Sequence, residues 1–127
     1  MIVADTSFVV DALLRKKDAL STEQIVVPEL ALYEVANSLW KHEHLLKDIA
    51  EGGAYLSVLY GLIDAGRMLV VSPNEELMTK SYEMAGLHRI SVYDAVFVSL
   101  ALRLGLGLRT FDRLQAKVFK SEGGRAH

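Results

Sequence analysis

Four acidic residues carry most of the chemistry this chain could do. Asp5 ends the apolar stretch "IVAD", Glu34 lies inside "LALYEVA", Asp94 inside "VYDAVFV", and Asp112 closes "RTFD". A carboxylate in an apolar setting is costly unless something offsets its charge. Each acid also has an ordinary reading. Asp5 could be a strand-end turn residue, Glu34 a solvated helix residue, Asp94 a helix cap, and Asp112 a cap or a partner of Arg109 or Arg113. Their apolar neighbours argue against four separate ordinary roles. The chain has no cysteine and no well-placed histidine. Three or four carboxylates then suit a hard cation, Mg²⁺ or Mn²⁺, rather than zinc. With metal, such a cluster holds a phosphate, orients water and stabilises a leaving oxygen.

The elements that must position these acids alternate between strand and helix. Short strands are expected at 2–5, 24–28, 68–72 and 106–110. Helices are expected at 7–17, capped by Thr6 or Ser7, and at 29–44, 46–66, 74–88 and 91–105. The 46–66 segment is interrupted near Gly52 and Gly53, and Gly105 stops the 91–105 helix. A short helix is expected at 111–119, with a weak edge strand possible after it. "IVA", "IVV" and "LVV" do not alternate with polar residues, so they read as strands buried on both faces. The pattern predicts an α/β domain with a mostly parallel sheet of four to five strands.

Sites in open parallel sheets form outside the carboxyl ends of the strands. Asp5 ends the first strand there. Glu34 lies in the early turns of the helix after the second strand. From 94 to about 104 a helix travels roughly 15 Å away from that edge. The strand to 110 returns by roughly 15 Å. The spacing therefore brings Asp112 back beside Asp94.

The bulk properties set the frame. The 127 residues fit one domain, 1–127, with a globular composition of 51% hydrophobic and 24% charged residues. No secretion signal is visible, and the longest uncharged run, "GGAYLSVLYGLI", is too short to span a membrane. A soluble cytoplasmic protein is expected. The net charge of −2 does not advertise nucleic acid, but leaving four metal-bound acids out of the surface count turns it into +2.

"VADTSFVVDALL", "VVPELALYEVANSLWK" and "SVYDAVFVSLALRLGLGLRTFD", in that order and spacing, resemble the PIN-domain nucleases, most closely the VapC-type toxin ribonucleases. The resemblance covers essentially the whole chain and implies a three-layer α/β/α sandwich and metal-dependent hydrolysis of RNA. It implies metal-binding roles for Asp5, Glu34 and Asp94, with Asp112 as the fourth acid. Thr6, Ser7, Asn37 and Thr110 match supporting polar positions. It also implies a cognate antitoxin protein and a homodimer. Arg109 and Arg113 flank "TFD" and are candidates for the RNA backbone. The region after Asp112 is short for the family, which leaves the fifth strand open.

Other residues have ordinary readings. His42, His44 and His88 suit helix ends or loops, and Asp11 a solvated face. Arg15, Lys16 and Lys17 complement a helix dipole, with phosphate contact as the alternative. Tyr55 and Tyr60 read as core, with a dimer or partner-helix surface as the alternative, and Trp40 as packing. Two rival functions remain. One is phosphoryl transfer through Asp5 as nucleophile, in a phosphotransferase or phosphohydrolase. It lacks the second acid two residues on, where this chain has Ser7. The other is a non-catalytic RNA-binding or interaction module on the same fold.

Overall fold

The computed structural model describes residues 1–15 and 17–124. Four parallel strands form one sheet: β1 (Ile2–Ala4), β2 (Ile25–Pro28), β3 (Met68–Val71) and β4 (Leu108–Arg109), in the order β3-β2-β1-β4. The helices are α1 (Thr6–Leu14), α2 (Leu30–His44), α3 (Gly52–Asp64), α4 (Glu75–His88), α5 (Val92–Leu104) and α6 (Arg113–Ser121), with a short 3₁₀ turn at Lys17–Leu20.

The order of the strands dictates the layers. The connections from β1 to β2 and from β2 to β3 step outward in one direction. The connection from β3 returns past both to pair β4 with the far side of β1. Right-handed crossovers place connections that run in opposite directions on opposite faces. Accordingly α1, α2 and α3 pack on one another, whereas α5 lies against β1, β2 and β4 and carries α4 and α6. The result is the expected α/β/α sandwich. The direction reverses between β1 and β4, and a crevice opens outside the strand ends at such a point.

Burial follows from the layers. Every residue of β1 and β2 is buried, as is every residue from Ala95 to Ala101 of α5. That helix sits between the sheet and two other helices, so it needs no polar face. β3 departs from the expectation of burial on both faces: Leu69 is exposed, and Val70 and Val71 are half-buried. As the outermost strand, β3 is only partly covered by the helical layers.

Several boundaries also differ. Asp5, not Thr6 or Ser7, caps α1: its extended backbone lets the carboxylate accept the Phe8 N–H at 3.0 Å. The 46–66 segment becomes a helix only from Gly52, whose N–H donates to Glu43 Oε1 at 2.6 Å. A Cβ there would sit 3.1 Å from that oxygen, so any larger residue would have to push the Glu43 carboxylate back slightly. α1 ends at Leu14; Lys16 and the last three residues of the "SEGGRAH" tail lie outside the described residues. After Asp112 the chain forms α6, and no fifth strand occurs among the described residues. No single helix among them is long and apolar enough to cross a membrane.

Candidate active site

Asp5 is the anchor of the crevice. β1 delivers it, and its backbone N–H donates to the Arg109 carbonyl of β4 at 3.0 Å. Its side chain is 2% exposed yet accepts three hydrogen bonds. Ser7 Oγ donates to Oδ1 at 2.7 Å, beside the Phe8 N–H, and Thr110 Oγ1 donates to Oδ2 at 2.6 Å. The two hydroxyls are themselves held. Ser7 Oγ accepts the Phe111 N–H at 3.1 Å, and Thr110 Oγ1 accepts the Asp112 N–H at 2.9 Å. Stacking of Phe8 on Phe111, with centroids 6.0 Å apart, ties the same two corners together. One carboxylate thus fastens the end of β1, the start of α1 and the turn into α6.

The other acids arrive from separate elements. Glu34, in the second turn of α2, accepts a hydrogen bond from Thr6 Oγ1 at 2.7 Å. Asp94 lies in the first turn of α5, where Ser91 caps its N–H at 3.1 Å. Asp112 caps α6, with Oδ1 accepting the N–H groups of Leu114 and Gln115 at 2.8 and 3.0 Å. Capping is thus a local role of the Asp112 side chain alone; Asp94 is held in place by the Ser91 cap and caps nothing itself. Both sit at helix N-termini that overhang the crevice.

All four carboxylates line one cleft of about 380 Å³. Burial pushes the Asp5 carboxyl up; hydrogen bonds from Thr110, Ser7 and Phe8 oppose this, and the charge of Asp112 adds to it. Burial likewise raises Glu34; the Thr6 hydroxyl opposes this, and the charges of Asp94 and Asp5 add to it. The acids therefore repel one another across the cleft.

Thr6, Ser7 and Asn37 also line the cleft, and Thr110 stands directly behind Asp5. Arg109 does not face it. Its guanidinium runs to Glu23, before β2, at 3.3 Å, and Glu23 also meets the N-terminal ammonium at 3.6 Å. That is the opposite end of the sheet, so the Arg109 side chain, expected beside "TFD", lies in an ion pair away from the cleft. Arg113 lies in a neighbouring groove. His42 meets Asp48, His88 meets Glu122 and Asp11 meets Arg15, all away from the cleft.

Three further polar residues at the cleft escaped the sequence reading. Ser38 and Lys41 follow Glu34 by four and seven positions, which places them on the same face of α2. Gln115 comes three residues after Asp112 on α6. Its Nε2 donates to Asp94 Oδ1 at 3.1 Å, while its Oε1 is buried with no partner among the described residues. Helical spacing from the acids was the signal for all three.

The donor set fits a hard divalent cation. The cleft offers carboxylate, hydroxyl and amide oxygens and no histidine. Among the described residues no three acidic or histidine side chains close on a single point as a finished cage. Asp5 and Glu34 accept bonds from the hydroxyls beside them, and Asp94 from the Gln115 amide. A dication is the partner that reverses the repulsion among the acids.

Comparison with known proteins bears on the same cleft. Ribonuclease VapC3 of Pyrobaculum aerophilum is 39% identical over 93 residues, which cover 72% of this chain and 68% of that protein. The crystal structure of VapC20 of Mycobacterium tuberculosis, described as a sarcin-ricin loop cleaving toxin, superposes with a TM-score of 0.71 at 16% identity, covering 100% of this chain and 98% of that one. A toxin–antitoxin complex from Klebsiella pneumoniae contains a chain with a TM-score of 0.67 at 14% identity, covering 88% of this chain and 87% of that one. The two structures share the fold, and the VapC3 relative adds sequence kinship. The model of the PIN domain family matches residues 2–120, so the chain belongs to that family.

Proposed function

We propose that this chain is a metal-dependent endoribonuclease and the toxin of a toxin–antitoxin pair. The observation that carries this reading is the convergence of Asp5, Glu34, Asp94 and Asp112, from four separate elements, on one cleft at the reversal point of the sheet. The names of its relatives, a ribonuclease and an RNA-loop-cleaving toxin, point to RNA as the substrate.

Asp5, Glu34 and Asp94 would hold Mg²⁺ or Mn²⁺, with Asp112 beside them. Such an ion supplies Lewis acidity at the phosphate and a water acidified for attack. The rest falls to the chain itself. Ser7 and Thr110 hold the Asp5 carboxylate in one orientation, and Thr6 does so for Glu34. Asp112 uses Oδ1 for the α6 cap, which leaves Oδ2 to accept a proton from water. Lys41 and Asn37 line the cleft with donors that a phosphate group could use.

The test is cleavage of total cellular RNA with Mn²⁺ or Mg²⁺, with a chelator, and with Asp94→Asn. Cleavage is expected only with metal and only in the unsubstituted chain. Cleavage that survives both chelation and the substitution would overturn the mechanism. A chain that cuts cellular RNA in the cytoplasm needs a neutralising partner, and co-purification from cells expressing both genes of the pair tests for the antitoxin. A homodimer, of twice 14.1 kDa, is read by light scattering.

A further inference from the structure

α6 leaves the cleft with an unbalanced positive face. Arg113, Lys117 and Lys120 follow one another at four and three positions, a single stripe on an α-helix. All three are exposed, and none enters an ion pair among the described residues; what sets them apart from other exposed cations is that they share one helix face. The opposite face, Gln115, Val118 and Phe119, is buried and fixes the helix in place. The three cations line a groove of about 450 Å³ between α6 and Leu108 of β4, and no acid lines it. Thr110 is its shared wall with the cleft: it lines the groove, while its hydroxyl is bonded to Asp5 and to the Asp112 N–H.

An acidic cleft repels the polyanion it is proposed to cut, so affinity for the flanking phosphates has to come from beside it. Arg113 to Lys120 spans about 10 Å along the helix axis. A strand with one charge per nucleotide presents more than one phosphate over that length. We propose that this groove is a binding track for the sugar–phosphate backbone of single-stranded RNA, leading from the cleft across Thr110 and along α6. The proposal rests on the nuclease reading and deepens it.

The experiment measures binding of a fluorescent single-stranded RNA to the full chain in chelator, over a salt series, alongside the variant Arg113→Gln/Lys117→Gln/Lys120→Gln. Circular dichroism checks that the variant is folded. Binding is expected to weaken roughly tenfold or more, and the slope of log affinity against log salt to fall by about 2, since each single-strand phosphate contact contributes about 0.7. The control Lys47→Gln/Lys80→Gln/Arg89→Gln removes three exposed cations elsewhere. An equal loss in the control means attraction by bulk charge and overturns the track. Unchanged RNA binding in the stripe variant overturns it too, and if antitoxin co-purification is lost at the same time the groove is a protein interface. Binding that depends on the stripe in a chain that cuts no RNA would sink the nuclease and leave the track standing.

Discussion

Asp5→Asn is expected to make the metal-free chain more stable while abolishing cleavage. Taking a carboxylate out of water costs several kcal/mol. Hydrogen bonds from Ser7, Phe8 and Thr110 return about 1.5 kcal/mol each. The raised pKa of Asp5 says that burial wins this balance. Asparagine keeps the α1 cap and both bonds on Oδ1, and it removes the buried charge. It disturbs only the Thr110 contact, where Nδ2 now donates and the hydroxyl proton loses its acceptor, at about 1 kcal/mol. The net gain is on the order of 1–2 kcal/mol, or roughly 3–8 °C for a chain of this size.

The pH dependence gives the sharper check. Folding raises the Asp5 pKa, so the native state favours the protonated acid. The unsubstituted chain therefore loses stability as pH rises from the ordinary value of 3.8 through the raised one. The variant has nothing to titrate there. Thermal melts in chelator are expected to show a small gap near pH 4 that is fully open at neutral pH. A variant that is less stable at neutral pH, or a gap that stays flat with pH, would refute the claim that Asp5 is a charge held under strain.

Three other outcomes follow from the same geometry. Calorimetric titration with Mn²⁺ should show affinity falling as pH is lowered, beginning above the ordinary carboxylate range, because Asp5 and Glu34 are both raised and protons compete with metal. Affinity that holds constant all the way down to the ordinary carboxylate range would contradict it. Gln115→Leu removes a buried unpaired acceptor along with the bond to Asp94, so stability should stay within about 1 kcal/mol while kcat for RNA falls about tenfold; an unchanged kcat would mean that Gln115 does not position Asp94. Ser7→Ala leaves the Phe111 N–H without its acceptor and removes one of the three donors to Asp5, and should cost about 1–3 kcal/mol in denaturant unfolding; a loss below about 0.5 kcal/mol, the range of ordinary surface effects, would contradict it.

Much of this was legible along the chain because its signals are local. "IVA" and "IVVP" are apolar throughout because β1 and β2 are buried, and the Gly105 stop is a left-handed residue at φ 67°. The return from Asp94 to Asp112 could be read by length because helix and strand have fixed rises. Asp5 looked misplaced at the end of a buried strand, and it is indeed the buried acid.

What lay beyond the sequence was direction. Arg109 and Arg113 both flank the acid corner in sequence, yet one turns back to Glu23 at the far end of the sheet and the other faces the groove along α6. Gln115 looked like any polar residue of a short helix until packing against α5 set it on Asp94. Spacing along the chain determines which residues reach the sheet edge. Only the packing of the layers decides which side chains face one another there, because that choice depends on contacts between elements far apart in sequence.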